Sequence, residues 1–422
     1  MAPGLIGQIA DWIDSCAVHR ARVLSVASAV SVVCTLMGRR YALPSGARAQ
    51  LFSVGVARTG VGKEIGRQCS IGLLTAAGYD KRIGADDVTS AAALVTLLRD
   101  CPTKILLLDE LGRLLEAYGS GNAASHERGI VTGLIRLWSS GTGKYLGRAY
   151  AEKPPQSVMQ PHAVVYATTT PESLTRSLKG SDVVDGVLSR LLLWRVDHGQ
   201  LPPARPTGSP MAPPHELVEM CKALARGPDG GDLSDLESPD VGPVPFVVEM
   251  TPAVEDAAGR IGDRVREHLE GPHADLWVRA REQTLRLALA AAVSCGSTTV
   301  EIEHLTWAWK VVRWSTHGSA DLVARNLAET EEGRAVLAIL NLLERRGALM
   351  SRSEITRALH RVDRRVREAA LASALDSGRV VREAVSVRGK TSDAYRLASS
   401  DELEAMALTH GDDDDRPLQG AA

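Results

Sequence analysis

An α/β fold, with helices packed on a largely parallel sheet, is predicted by three features of the first half of this sequence. Short apolar runs alternate with helical stretches from Leu51 onward, a glycine-rich turn separates the first run from the first helix, and the runs Ile105–Leu108 and Val164–Thr168 are almost wholly apolar. Such runs fit strands buried on both faces, and parallel strands need crossover connections, usually helical. The 422 residues suggest two or three domains at roughly 150 residues each. A 44% hydrophobic composition against 24% charged residues can fill substantial cores.

Residues 1–50 read as an N-terminal helical region. Ile6, Ile9, Trp12 and Ile13 recur at helical spacing, and the uncharged run from Val23 to Gly38 is 16 residues long. That run is shorter than a usual bilayer span and predicts a buried helix. Residues 51–200 form the core: a strand near Leu51–Val56, a helix after Lys63, a helix near Ser90–Leu98, strands at 105–108 and 164–168, and a last strand at Leu191–Val196. Gly141–Pro161 interrupts the rhythm as a polar hairpin. Six prolines between Pro202 and Pro214, then the stretch Gly227–Pro245, predict a linker region over 201–245. Periodicity over Ala253–Leu269, Trp277–Val293 and Ile302–Trp314 predicts a helical domain, 246–330. Three helices and a terminal hairpin over 331–400 predict a winged helix, and the run Gly411–Asp415 marks a disordered acidic tail, 401–422.

The charge balance, 49 Lys and Arg against 51 Asp and Glu, excludes a uniformly basic coat and leaves room for a local patch. Six dispersed cysteines without a close metal-binding pair point to a reduced, cytoplasmic setting, and no membrane association is expected.

Residues 55–64 read GVARTGVGKE directly after the first strand. A phosphate loop needs inward main-chain N–H groups, glycine where the turn is tight and a lysine near the outer phosphates. Gly60, Gly62 and Lys63 meet those needs, and Arg58, Thr59, Val61 and Glu64 complete the candidate ATP-binding loop. Two positions depart from the strict pattern: Ala57 replaces its first glycine, and Glu64 replaces the Ser or Thr that positions Mg2+. Glu64 is a candidate metal ligand, directly or through water, although its charge also repels phosphates. A structural loop is the competing reading.

Asp109 and Glu110 follow the apolar run Ile105–Leu108. Asp109 suits the water shell of Mg2+, and Glu110 suits the attacking water; two acids after a strand also cap helices. Thr168, Thr169 and Thr170 end the next strand as candidate sensors of the γ-phosphate, against an ordinary threonine turn. Arg190, before the last strand, is a candidate finger reaching a neighbouring subunit's site, with a salt-bridge role as the alternative.

The approach Gly38-Arg39-Arg40-Tyr41, the loop GVARTGVGKE and the segments LLLDELGRLL, YATTTPESL and VVDGVLSRLLLW resemble the DUF3987 family of phage, plasmid and prophage ATPases. The resemblance covers roughly residues 5 to 315, more weakly through LWVRAREQTLRLAL. It implies an ASCE-type P-loop ATPase core, with an additional strand between the phosphate loop and the catalytic acids. It also implies ATP and Mg2+ as ligands and association with primase or helicase machinery. GKE variants resemble forms within this group, and Arg190 matches a recurring arginine.

DNA contact is expected in the terminal domain, where residues 351 to 396 hold 11 Lys or Arg against six Asp or Glu. Arg361, Arg364, Arg365 and Arg367 surround its proposed recognition helix, and Arg388 and Lys390 lie on the wing. Winged helices also dock proteins. Lys144, Arg148 and Lys153 in the hairpin are a second candidate contact, facing the channel of a ring-shaped homo-oligomer. The leading expectation is a DNA-dependent ATPase of a mobile element, an oligomeric replicative helicase or related motor working with replication proteins. An ATP-controlled initiator or helicase loader and a catalytically impaired nucleotide-responsive scaffold are the alternatives.

Overall fold

The computed structural model describes residues 2–85, 87–119, 125–147, 156–177, 186–196, 203–228, 230, 234–270, 273–329, 331–347, 349–376, 380–387 and 390–397. Arg148, Lys153, Arg388 and the 401–422 tail lie outside the described residues, and of Lys390 only the main chain is described. The chain divides into two compact units, Met1–Val265 with Asp275–Ser319, and Arg266–Ala274 with Ala320–Gly420.

The first unit begins with α1 (Gly4–Cys16), α2 (Arg22–Met37), β1 (Tyr41–Ala42), β2 (Phe52–Val56) and α3 (Glu64–Ala76). It continues with α4 (Ala91–Asp100), β3 (Thr103–Leu108), α5 (Leu111–Gly119), α6 (Ser125–Trp138), the antiparallel pair β4 (Lys144–Leu146) and β5 (Ser157–Met159), β6 (His162–Thr169), α7 (Pro171–Ser177) and β7 (Leu191–Arg195). Four strands form one parallel sheet in the order β3-β6-β2-β7. Ile83 adds a single parallel bridge to Ile105, on the edge of β3 away from β6.

Side chains alternate across a strand, so Phe52 and Gly55 face opposite sides of the sheet. On the Gly55 side runs α2: a Cβ at Gly55 would meet Leu24 Cδ2 at 2.9 Å, and the His162 ring lies 2.9 Å from the Cys34 carbonyl. On the Phe52 side, Leu111 and Leu115 of α5 and Val131 and Leu134 of α6 close over Phe52, Val165 and Leu191. The sheet is therefore covered by helices on both faces. Helix α2 is buried from Ala27 to Met37. Its small polar residues are served internally, with Ser31 donating to the Ala27 carbonyl and Thr35 to the Ser31 carbonyl. Arg82 satisfies the carbonyls of Thr35 and Leu36 at its C-terminal end. Among the described residues no helix is long and apolar enough to cross a membrane.

The proline-rich stretch does not end this unit, as composition predicts it should. Ala204 N–H donates to the Val18 carbonyl, Thr207 N–H donates to the Ser15 carbonyl, and the Pro210 carbonyl lies against Gly72 of α3. Proline excludes helix and central strand, but it leaves an extended chain free to lie along other elements. The stretch after α8 (His215–Arg226) is tied down by two buried arginines: Arg39 donates to the carbonyls of Leu236, Ser238 and Val241, and Arg48 to that of Pro243. From there β8 (Phe246–Val247) pairs with β1, and β9 (Glu249–Met250) with β10 (Thr299–Val300). The helices α9 (Pro252–His268), α10 (Ala280–Ser294) and α11 (Ile302–Glu329) follow the predicted periodicity. They are no separate domain, however. Ser294 bonds to the Pro3 carbonyl, and Ser315 accepts from Leu193 N–H in β7.

The second unit contains α12 (Glu331–Arg346), β11 (Met350–Ser351), α13 (Arg352–Ala358), α14 (Arg364–Asp376) and the hairpin β12 (Val380–Val387) and β13 (Lys390–Leu397). Its antiparallel sheet has the order β11-β13-β12, and Ile339, Leu343, Ile355, Ala370 and Tyr395 meet in its core. A reciprocal cap between Ser351 and Glu354 opens α13.

Candidate phosphate-binding site at the end of the sheet

In a parallel sheet the loops leaving the C-terminal strand ends share one edge, and the candidate residues gather there. The 57–63 loop joins β2 to α3. Gly60 and Gly62 have φ of +88° and +80°, and Lys63 already has helical backbone at φ −55°. Alternating left- and right-handed residues turn successive N–H groups into one concavity, and the N-terminus of α3 adds its positive end. Ala57 does not have a positive φ, so this position has no need of glycine. Its N–H donates to the Thr169 carbonyl at 3.2 Å, and its methyl packs with Ala21, Leu24 and Val61. Alanine is therefore compatible with the backbone at this position.

Lys63 Nζ lies 3.8 Å from Glu110 Oε1, a partly buried ion pair across the loop. Glu110 has φ +50°, in the left-handed region that costs a residue with a Cβ roughly 1–2 kcal/mol. Asp109 Oδ1 accepts from Thr168 Oγ1 at 2.7 Å and from Glu110 N–H at 2.9 Å. The three threonines separate into distinct roles. Thr168 orients Asp109; Thr169 gives its carbonyl to Ala57 and its hydroxyl oxygen to Gly112 N–H at 3.3 Å; Thr170 accepts from Ser173 N–H at the start of α7. Thr170 is thus a helix cap.

Glu64 opens α3 and pairs with Arg67 at 3.1 Å. An acid in the first helical turn is favoured by the helix dipole, which accounts for it locally. Among the described residues no three His, Cys, Asp or Glu side chains gather as a metal site. Asp109 is the acid whose geometry fits a cation, because both donors address the same oxygen.

Arg190 lies elsewhere. Leu191 pairs with Phe52 and Arg195 with Val56, so Arg190 stands at the opposite sheet edge from the 57–63 loop of its own chain. Its guanidinium bonds the Gly186 carbonyl and stacks on Trp138. Arg281 and Arg286 of α10 are structural: Arg281 donates to the Ala258 carbonyl, and Arg286 to those of Gln50 and Trp138. In the second unit Arg361, Arg364 and Arg365 are exposed. Arg367 instead donates to the Leu359 and Val362 carbonyls. Lys144 is exposed on β4.

Sequence reasoning missed the α1–α2 connection. Ala21 and Leu24 pack beneath the loop, and the His19 main chain lies against Gly62. The left-handed backbone of Glu110 has no sequence signal either. A cavity of about 450 Å3 between α1, α8 and the end of α10, lined by Leu5, Tyr41, Met220 and Leu224, holds no charged side chain and lies away from these groups. No protein-family model matches this chain, and no curated protein matches it.

Proposed function

We propose that this chain is an ASCE-class P-loop ATPase that acts on DNA, an oligomeric replicative helicase or related motor of a mobile element. The observation that carries the reading is the convergence of Lys63, Glu110, Asp109 and Thr168 at one sheet edge, beside a glycine-turned helix N-terminus. The interposed strand β6 between β2 and β3 agrees with the topology that the resemblance implies.

In this reading the loop N–H groups and Lys63 hold the phosphates of ATP. Asp109 would hold Mg2+, which when bound would supply charge neutralisation at the phosphates. Nucleotide draws Lys63 away from Glu110, and the freed carboxylate takes the proton of the water that displaces ADP from the γ-phosphorus. Thr168 keeps Asp109 in place. Arg190 serves a neighbouring copy, since its own loop is out of reach. The three helices and hairpin of the second unit support a winged helix, and exposed Arg361, Arg364 and Arg365 support phosphate contact with DNA.

Purified protein is expected to hydrolyse ATP, with stimulation by DNA. Lys63→Ala weakens nucleotide binding, whereas Glu110→Gln binds and turns over at least about 100-fold more slowly. Wild-type turnover in Glu110→Gln removes Glu110 from this role. Stimulation by DNA without strand displacement favours the initiator or loader. The engagement of Glu64 with Arg67 favours the impaired scaffold, which binding without turnover would establish.

A further inference from the structure

The second unit gathers arginine where α13 turns into α14. Arg352, Arg357, Arg361, Arg364 and Arg365 are all exposed. Glu368 ties two of them to one face, lying 3.6 Å from Arg352 and 3.1 Å from Arg364. The other carboxylates of this turn are occupied: Glu354 caps α13 and pairs with Arg346, and Asp363 accepts from Arg365 N–H. Arg357, Arg361 and Arg365 have no carboxylate partner among the described residues. The first turn of α14 holds no acid, so Arg364 and Arg365 add to the positive end of a helix. Like charges held this close repel one another, and an anion laid across them relieves that repulsion.

The chain carries such an anion itself. Residues 401–422, outside the described residues, hold Asp401, Glu402, Glu404 and the run Asp412–Asp415 against one Lys or Arg, Arg416. Leu397 ends β13 paired with Val380, and both join the core cluster that holds Ala374, at the far end of α14 from Arg364. Helix α14 has 13 residues, roughly 20 Å at 1.5 Å per residue. Asp412 follows Leu397 by 15 residues, a connection that reaches up to roughly 50 Å. The acidic run is therefore tethered within reach of the arginines, at an effective concentration on the order of millimolar.

We propose that the run Asp412–Asp415, with Asp401, Glu402 and Glu404 ahead of it, docks on the Arg357–Arg365 face of its own chain and competes there with other polyanions. Docking follows from charge and reach alone; that DNA is the polyanion displaced rests on the reading above.

The test compares the full chain, the chain ended after Ser400, and the full chain carrying Asp412→Asn, Asp413→Asn, Asp414→Asn and Asp415→Asn together. The probe is a fluorescein-labelled peptide of residues 401–422, followed by anisotropy at low salt. The ended chain is expected to bind it, with an affinity that falls steeply as salt rises. Arg361→Gln, Arg364→Gln and Arg365→Gln combined in the ended chain should weaken that binding at least about tenfold. The full chain should bind the peptide at least about tenfold more weakly than the ended chain, because its own run already covers the face, and the Asn variant should recover the lost affinity. No binding to the ended chain, equal binding by the full and ended chains, or binding that survives the three Gln changes overturns the proposal. A labelled DNA duplex separates the two readings. Tighter duplex binding by the ended chain than by the full chain supports competition with DNA; equal duplex binding beside the expected peptide results leaves the docking in place and removes DNA from this face.

Discussion

Glu110 combines a left-handed backbone, which among the described non-glycine residues only Gln160 and His273 share, with an ion pair to Lys63. A glutamate at φ +50° persists only where its surroundings hold it, and such strain concentrates at functional sites. Asparagine tolerates that backbone better, so Glu110→Asn should raise folding stability by up to about 1 kcal/mol while abolishing ATP turnover. Chemical denaturation and a phosphate-release assay read the two effects separately. Ala57 gives the opposite lesson. Because its φ is not positive, Ala57→Gly should improve neither loop geometry nor nucleotide affinity, and should cost about 0.5–1 kcal/mol of stability through added chain entropy. His162 sets a pH dependence. Burial, and next the positive Arg48, push its ring pKa from its ordinary 6.5 down to about 3. Between those values unfolding takes up a proton, so this stability is whole above about pH 6.5 and drains as pH falls toward 3. Thermal melts should show a loss of about 1 kcal/mol per pH unit in that window, reduced in His162→Asn.

Among the elements, α3 is held by the closeness of its first turn to the sheet and to α2. A Cβ on Gly66 would stand 2.5 Å from Tyr166 Oη and 3.1 Å from Ser28 Cβ, so the glycine lets the helix that follows Lys63 settle against β6. Gly66→Ala should therefore destabilise by about 1–3 kcal/mol and weaken nucleotide binding. Tyr166 Oη is buried without a partner, and Tyr166→Phe removes the obstructing atom. In a double-mutant cycle, Tyr166→Phe should restore part of the stability lost in Gly66→Ala; strict additivity of the two changes would refute the contact. Helix α2 was legible as buried because it lacks any charge between Val23 and Gly38. The Ser28 bond to the Gly66 carbonyl, which couples it to α3, was not, since it joins residues 38 positions apart.

At the scale of the whole molecule, a net charge of -2 coexists with a basic stretch at 351–396, and charge of this kind selects partners and not folds. Replacing Arg361, Arg364 and Arg365 by Gln should weaken DNA binding and flatten its salt dependence by roughly one unit for each phosphate left without its arginine, with nucleotide affinity unchanged. Unchanged binding across a salt series would reassign this surface to protein docking. The central strands were legible because helices cover both faces of the sheet, which demands continuous apolar runs such as Ile105–Leu108. The 57–63 loop was legible as a tight turn before a helix, which calls for glycine at Gly60 and Gly62. Composition could not tell a spacer from a strap. The stretch before Phe246 lies tied to the core because buried Arg39 and Arg48, about 200 positions away in sequence, take its carbonyls. Likewise, the sequence by itself determined that Arg190 precedes the last strand. Only tertiary structure decided that it faces away from Lys63, because the pairing of Leu191 with Phe52 sets the sheet edge on which each strand end emerges. Local chemistry depends on neighbours in the chain, whereas register and burial depend on contacts between residues far apart in it.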